Sequence, residues 1–192
     1  MLRDTFSGKG SGFTGARHLF RGRGRPRHTY LRTRDLAMNS GTIELIYIAP
    51  AAAAPTLLVK EAVAIPGSGL EGDRYALGQG TFSKPEPDFE LTLIEAEAIE
   101  ALKRDYKVDL APGESRRNLV TRGIALNHLV GQDFQIGEVK AHGIRLCEPC
   151  DHLQRLAARP VIKGLRHRGG LRAQILTRGA IRVGDSVSAH KD

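Results

Sequence analysis

Residues 133–153 read DFQIGEVKAHGIRLCEPCDHL and combine strand, thiol and helix signals in one short stretch. Apolar and polar residues alternate along its first half, which predicts a pair of strands around Gly137 and Gly143. Cys147 and Cys150 follow directly, three positions apart. The stretch therefore predicts a β domain in which a strand delivers two thiols to the start of a helix.

Two short helices are predicted. Asp151 is expected to cap one over residues 153–158. Residues 96–104 are rich in helix formers, and Thr92 with Glu95 matches the pattern of a capping box in front of them. These are the two places where the apolar residues favour a helix over a strand.

The rest of the chain from Gly41 onward predicts short strands separated by glycine-rich or polar loops. Residues 112–131 are expected to form a polar loop with a short apolar stretch, and residues 171–189 two strands joined through Gly179. Many short strands with about two helices indicate a mostly β (α+β) fold, built as a barrel or a tightly curled sheet. The further β-rich runs are residues 42–48, 56–65 and 89–94.

Length, composition and charge fit one globular domain with a basic extension. The chain has 192 residues, and no apolar run approaches the length needed to span a bilayer. No secretory signal is visible, so a cytoplasmic protein without membrane contact is expected. Residues 1–40 hold nine Lys and Arg against two Asp and Glu, whereas residues 41–192 hold 20 against 19. The net charge of +8 thus describes the extension, and nucleic-acid binding by the domain is not indicated.

Residues 1–40 are rich in Gly, Arg and Ser and show no sustained strand or helix period. Such a segment buries too little apolar surface to offset its conformational entropy, so disorder is expected. A basic nucleic-acid arm, a transit peptide and sequence upstream of the true start are three interpretations. The last is favoured because Met38 immediately precedes the first strand-like run.

The thiols carry the clearest chemical signal. Cys150 precedes a predicted helix, where backbone N–H groups and the helix dipole favour a thiolate, and Arg145 adds positive charge. A thiolate is a nucleophile and a soft metal ligand. Three other interpretations stay open: two core cysteines, a thioredoxin-like redox pair, and a zinc site completed by histidines. The candidate histidines are His142, His152 and His167.

Three arginine- or glycine-containing loops have the composition of anion sites. Arg116 and Arg117 are adjacent and precede Asn118, so this loop can hold a phosphate through charge-assisted hydrogen bonds. Residues 69–75 and 167–173 combine glycine with arginine in the same way. On composition alone, each loop is equally explained as a solvated basic turn.

Taken in order, these segments resemble the MOSC domain family, named after the carboxy-terminal part of molybdenum-cofactor sulfurases. The resemblance covers about residues 42–187 and rests on the succession of motifs rather than on any one of them. The motifs are GLEGDR at 69–74, RNLVTRGI at 117–124, LVG at 129–131 with FQIG at 134–137, CEPC at 147–150, GGLRA at 169–173 and VGD at 183–185.

The resemblance implies a β-barrel-like fold with a cleft for a pterin-type molybdenum cofactor, molybdopterin. The family cysteine, which coordinates molybdenum or is proposed to carry a persulfide, falls at Cys150. Cys147 is a second thiol that many family members lack, so which of the pair is the ligand stays open. The residues implied to contact anionic groups of the cofactor are Arg116, Arg117, Asn118, Asp73 and Arg74.

Family members of established activity reduce N-hydroxylated compounds such as amidoximes, hydroxylamines and hydroxylated nucleobases. The chain carries no ferredoxin-like cysteine set, Rossmann fingerprint or flavin motif, so electrons are expected from separate partner proteins. The alternative is a persulfide carrier or a cofactor carrier without turnover. A third hypothesis, nucleic-acid binding through residues 1–40, fails if translation starts at Met38.

Overall fold

The computed structural model of the protein describes residues 40–82, 84 and 86–189. The predicted basic extension and the predicted start at Met38 therefore lie outside the described residues, with Ser40 as the first one inside. No helix among the described residues is long and apolar enough to cross a bilayer.

The described residues form eleven strands and three α-helices. The helices are α1 (Ala96–Tyr106), α2 (Asp151–Ala157) and α3 (Ile162–Leu165). Short 3-10 turns occupy Pro87–Phe89, Pro112–Ser115 and Leu126–Leu129. The strands are β1 (Ser40–Ile48), β2 (Leu57–Val59), β3 (Glu61–Ile65), β4 (Gly69–Leu70), β5 (Leu91–Glu95), β6 (Leu119–Arg122), β7 (Asp133–Ile136), β8 (Val139–Leu146), β9 (Leu171–Ile175), β10 (Gly179–Arg182) and β11 (Ser186–Ala189).

Seven strands close into a barrel. They pair in the order β11-β7-β8-β9-β5-β6-β1, and β11 then pairs with β1, with Gly41 opposite Val187. Side chains on alternating positions of these strands point inward and form one buried apolar cluster that includes Leu93, Phe134 and Ile136. The predicted mostly β, barrel-like fold with a few short helices is confirmed.

The β5–α1–β6 unit carries the one parallel pairing between barrel strands in the described part of the chain. The predicted capping box is wrong, because Thr92 lies inside β5 and bonds to Asn118 rather than capping α1. The apolar stretch expected within a loop at residues 112–131 is β6 itself, fully surrounded by β5 and β1.

Two other predicted segments divide differently. The run at residues 56–65 splits at Lys60, because β2 pairs with β1 while β3 joins β10 and β4 in a small separate sheet. Residues 171–189 form three strands rather than two, with Gly179 starting β10. All three helices pack outside the barrel over a second apolar cluster that includes Leu102 and Leu165.

Candidate functional site

An open cleft lies beside the start of α2 and is lined by residues from five separate parts of the sequence. The predicted residues that line it are Arg74, Arg116, Arg117, Cys147 and Cys150. The fold thus brings five of the seven predicted site residues to one place. Both cysteines are free thiols.

The two thiols differ sharply in access. Cys147 follows β8, is 3% exposed, and its backbone N–H donates to the carbonyl of Gly170 at 2.7 Å. Cys150 is exposed and forms the N-cap of α2 with an extended backbone (φ −136°, ψ 169°), so Asp151 is the first helical residue and not the predicted cap. Cys150 is therefore the thiol that an incoming ligand meets.

Close backbone approach holds the thiol loop against the barrel. A Cβ atom at Gly169 would lie 2.5 Å from the carbonyl oxygen of Cys147 and 2.9 Å from Cδ of Pro149. A Cβ atom at Gly170, whose φ is +111°, would lie 1.9 Å from the carbonyl oxygen of Leu93. The paired glycines of the GGLRA motif are thus explained by packing, since a larger residue at either position would displace the loop.

Arg117 is a buried cation of the cleft that bonds to three backbone carbonyls. Its side chain donates from Nε to the carbonyl of Gly169 at 2.9 Å, from Nη2 to that of Cys147 at 2.8 Å and from Nη1 to that of Ser115 at 3.2 Å. It is 8% exposed, and within the described part of the chain no carboxylate lies within 4.0 Å of it. The guanidinium has five N–H donors, so it retains donors beyond these three bonds.

Arg74 and Arg116 form a second cationic pair at the cleft. Asp73, which is buried, accepts from Arg74 Nη1 at 3.2 Å, and Arg74 Nη2 donates to the carbonyl of Arg116 at 3.3 Å. Arg116 ends the Pro112–Ser115 turn in the left-handed region (φ 60°). Burial and then the neighbouring Arg74 lower the pKa of Arg116, against a smaller opposing effect of Asp73. Among the described residues, the two arginines thus share one nearby carboxylate, that of Asp73.

Asp73 and Asn118 lie behind the cleft rather than in its lining. Asp73 also accepts from the backbone N–H groups of Ala49 and Tyr75 at 3.0 and 3.1 Å. Asn118 accepts from the backbone N–H and the hydroxyl of Thr92 at 3.2 and 2.8 Å, and so ties β5 to the arginine loop. Both residues hold the backbone that positions the lining arginines.

Arg172, which belongs to the loop at residues 167–173 that the sequence left open as an anion site or a solvated turn, completes the cationic lining. Its guanidinium stacks over the ring of Phe89 at 4.8 Å, and Nη1 donates to the carbonyl of Asp88 at 3.0 Å. Phe82 and His152 form an opposite wall, with ring centroids 5.3 Å apart. No local signal separates Arg172 from a solvated arginine, because its place depends on the pairing of β9 with β5.

Two alternatives for the thiols find no support. Among the described residues, no group of three or more His, Cys, Asp and Glu side chains converges to hold a metal ion. Of the three candidate histidines, His142 pairs with Asp133 at 2.6 Å and His167 with Glu148 at 3.0 Å. A thioredoxin-like site needs a βαβ context, whereas β8 is antiparallel to both of its neighbours.

The MOSC domain family model matches residues 70–188, more than half of the chain. The chain belongs to the MOSC domain family. This MOSC domain has the fold of YuaD from Bacillus subtilis, at 16% identity and a TM-score of 0.66 over 80% of this chain and 97% of that chain. No match was found among curated protein sequences.

YiiM proteins share the fold as well. YiiM from Escherichia coli has 18% identity and a TM-score of 0.57 over 79% of this chain and 70% of that chain. YiiM from Geobacillus stearothermophilus has 12% identity and a TM-score of 0.56 over 81% of this chain and 74% of that chain. Identities this low establish the fold alone.

Proposed function

We propose that this MOSC domain binds a pterin-type molybdenum cofactor in the cleft and reduces N-hydroxylated compounds, with Cys150 as the protein thiolate. MOSC domains are associated with this cofactor. One observation carries the proposal for this chain: four guanidinium groups surround an exposed thiol in a single cleft. The four are those of Arg74, Arg116, Arg117 and Arg172.

The charge of the cleft fits an anionic ligand. Within the described residues, Arg74 is the one of these four arginines with a carboxylate partner inside 4.0 Å. Glu148 also lines the cleft, but its two oxygens accept from the backbone N–H and Nδ1 of His167. Burying a guanidinium without a counter-charge is costly, and a bound phosphate removes that cost. The donor set is thus suited to a cofactor that carries phosphate.

The thiol chemistry fits the same cofactor. A metal brought in by an organic cofactor needs few protein ligands, which agrees with one exposed thiol and no cluster of metal-binding side chains in the described residues. When bound, the cofactor supplies a metal that cycles between oxidation states and so delivers electrons to the substrate. Cys150, which is exposed at the N-cap of α2, would supply the sulfur ligand to this metal.

The chain's own residues have separable tasks in this proposal. Arg117 fixes the thiol loop through the Cys147 carbonyl and presents its remaining donors to the anion. Arg116 and Arg172, which both line the cleft, would contact the anion, while the edge-to-face rings of Phe82 and His152 would contact the organic part of the cofactor. Cys147, which is buried, contributes packing rather than ligation.

The second candidate function is a persulfide carrier. The exposed position of Cys150 at a helix N-cap suits a thiol that accepts and releases sulfur, and Cys147 lines the same cleft. This function needs no retained metal. It predicts a cyanide-releasable sulfur atom on Cys150 and no turnover of N-hydroxylated substrates.

The deciding experiment is analysis of molybdenum and pterin in the purified chain, produced in a host that makes the cofactor. Near-equimolar molybdenum that is lost in Cys150→Ser and kept in Cys147→Ser supports the reductase, and turnover of hydroxylamine-type substrates with a chemical reductant then follows. Metal absent from all three proteins, with sulfane sulfur present on Cys150, supports the carrier. Equal metal loss in both variants contradicts the assignment of Cys150.

A further inference from the structure

Positive charge within the domain is concentrated in the segment that carries the thiols. Residues 145–172 contain seven Arg and Lys against two Asp and Glu, a net charge of +5. The remainder of residues 41–192 contains 13 against 17, a net charge of −4. The domain outside residues 145–172 is therefore acidic, whereas this segment is basic, and the segment includes α2, α3 and the loop that follows them.

Four exposed cations of this segment form no salt bridge among the described residues, although Arg168 acts at longer range on the carboxyls of Glu95 and Asp105. In the part of the chain that the structure describes, none of them has a carboxylate within 4.0 Å, whereas Arg182 elsewhere pairs with Glu61 at 2.6 Å. We call them the α2–α3 cationic surface. They are Arg155, Lys163, Arg166 and Arg168.

This surface adjoins the mouth of the cleft. Arg155 precedes Leu156, which lines the cleft and is 37% exposed. Arg166 and Arg168 flank His167, whose Nδ1 lies 3.0 Å from Glu148 in the thiol loop. The segment that carries these cations therefore borders the cleft that contains Cys150.

From these observations we propose that the α2–α3 cationic surface docks an acidic electron-carrier protein. The inference rests on the proposed reductase function. Reduction of an N-hydroxylated compound breaks its N–O bond, consumes two electrons and two protons, and releases the amine and water. Electron transfer slows steeply with distance, so the donor must approach the cleft closely. A cationic surface beside the cleft steers a partner of opposite charge to that position.

The test is a titration of the full-length chain with an acidic flavodoxin at about 20 mM salt, where charge attraction is least screened. Arg155→Glu with Arg166→Glu is expected to raise the Kd at least about tenfold, and the double Gln variant to raise it by an intermediate factor. The matched control, Lys140→Glu with Arg178→Glu, reverses two exposed cations away from the cleft and is expected to change the Kd less than about twofold. All variants keep residues 1–40, so a difference in Kd between them reports on the α2–α3 cationic surface and not on the basic extension.

Three results overturn the docking inference. The first is that flavodoxin shows no salt-dependent binding, and the second is that both charge-reversal pairs weaken its binding equally. The third is that Arg155→Glu with Arg166→Glu weakens binding of a single-stranded oligonucleotide but not of flavodoxin, which assigns the surface to nucleic acid. Binding requires no cofactor, so the outcome is separate from that of the metal analysis. A chain that binds flavodoxin through this surface but retains no molybdenum refutes the reductase and leaves the docking surface standing.

Discussion

Arg117 and Arg122 lie five positions apart in one motif, yet their surroundings are opposite. Arg122 has a side chain that is 41% exposed and meets three carboxylates, those of Glu44, Glu97 and Glu100. Arg117 is 8% exposed and meets three backbone carbonyls, with no carboxylate within 4.0 Å among the described residues. A cation saturated with carboxylates serves local stability. A buried cation without them keeps its charge available to an anion, which is the role proposed above for Arg117.

Replacing each arginine by Met is expected to give the largest effect, a clear difference between the two losses of unfolding free energy. Arg117→Met leaves three carbonyls without a donor, at about 1–3 kcal/mol each, so a loss of about 3 kcal/mol or more in unfolding free energy is expected. Arg122→Met removes exposed ion pairs that solvent screens, so a loss below about 1 kcal/mol is expected. Urea unfolding of both variants measures the difference, and equal losses would contradict the distinction.

A smaller effect is expected from Gly169→Ala. The added methyl group meets the carbonyl of Cys147 at 2.5 Å, so a cost of about 2 kcal/mol and a changed alkylation rate of Cys150 are expected. Gly184→Ala is the control, because that glycine has φ +93° but no atom within 4 Å. It should cost about 1 kcal/mol from backbone strain and leave the thiol unchanged. Unfolding and iodoacetamide kinetics check both.

Arg116→Gln should affect binding with little effect on folding. Loss of a charge-assisted contact is expected to weaken binding of inorganic phosphate in the cleft about tenfold. Arg182→Gln removes an ion pair with Glu61 outside the cleft and should leave phosphate affinity unchanged. Calorimetric titration provides the measurement. Equal affinities of the two variants would remove Arg116 from the site.

The smallest expected effects are changes of folding stability with pH, and they have opposite signs at the carboxyls of Glu90 and Glu100. Burial raises the pKa of Glu90 above 4.5, so this group favours folding at low pH, and its contribution is lost as pH rises through the folded pKa. The bond from Arg122 lowers the pKa of Glu100, so its contribution is present above 4.5 and is lost as pH falls through the lowered pKa.

Glu90→Gln should therefore gain stability relative to the native chain as pH rises from about 4.5 to neutral. Glu100→Gln should lose stability at neutral pH and match the native chain in strong acid. Thermal unfolding followed from strong acid to neutral pH measures both trends, the Glu100 trend below about pH 4.5 and the Glu90 trend above it. Parallel trends would show that the two carboxyls do not differ as described.

The sequence was sufficient for features with a local cause. Alternation around Gly137 predicted β7 and β8, and helix formers predicted α1. The order of motifs predicted the family, which the match to residues 70–188 confirms. Each of these signals depends on neighbours in the chain or on the succession of segments.

Features that depend on distant residues were not predictable. Thr92 and Glu95 satisfy a capping pattern, but Asn118, 26 positions away, takes the Thr92 hydroxyl, and Glu95 accepts instead from the N–H of Leu126. In the same way, the sequence left residues 167–173 open as an anion site or a solvated turn, and the pairing of β9 with β5 places Arg172 in the cleft. A local pattern states what a side chain is able to do, and the tertiary structure decides which partner it has.

The positions of the three carbonyls that accept from Arg117 determine when, during synthesis of the chain, its hydrogen bonds are able to form. The carbonyls belong to Ser115, Cys147 and Gly169, and the strand that closes the barrel, β11, is made later still. A chain emerging from the ribosome therefore contains both thiols and three of the four cleft arginines before it has a clamp for Arg117. During that interval Cys147, which the finished fold buries, is as accessible to solvent as Cys150, which stays exposed afterwards.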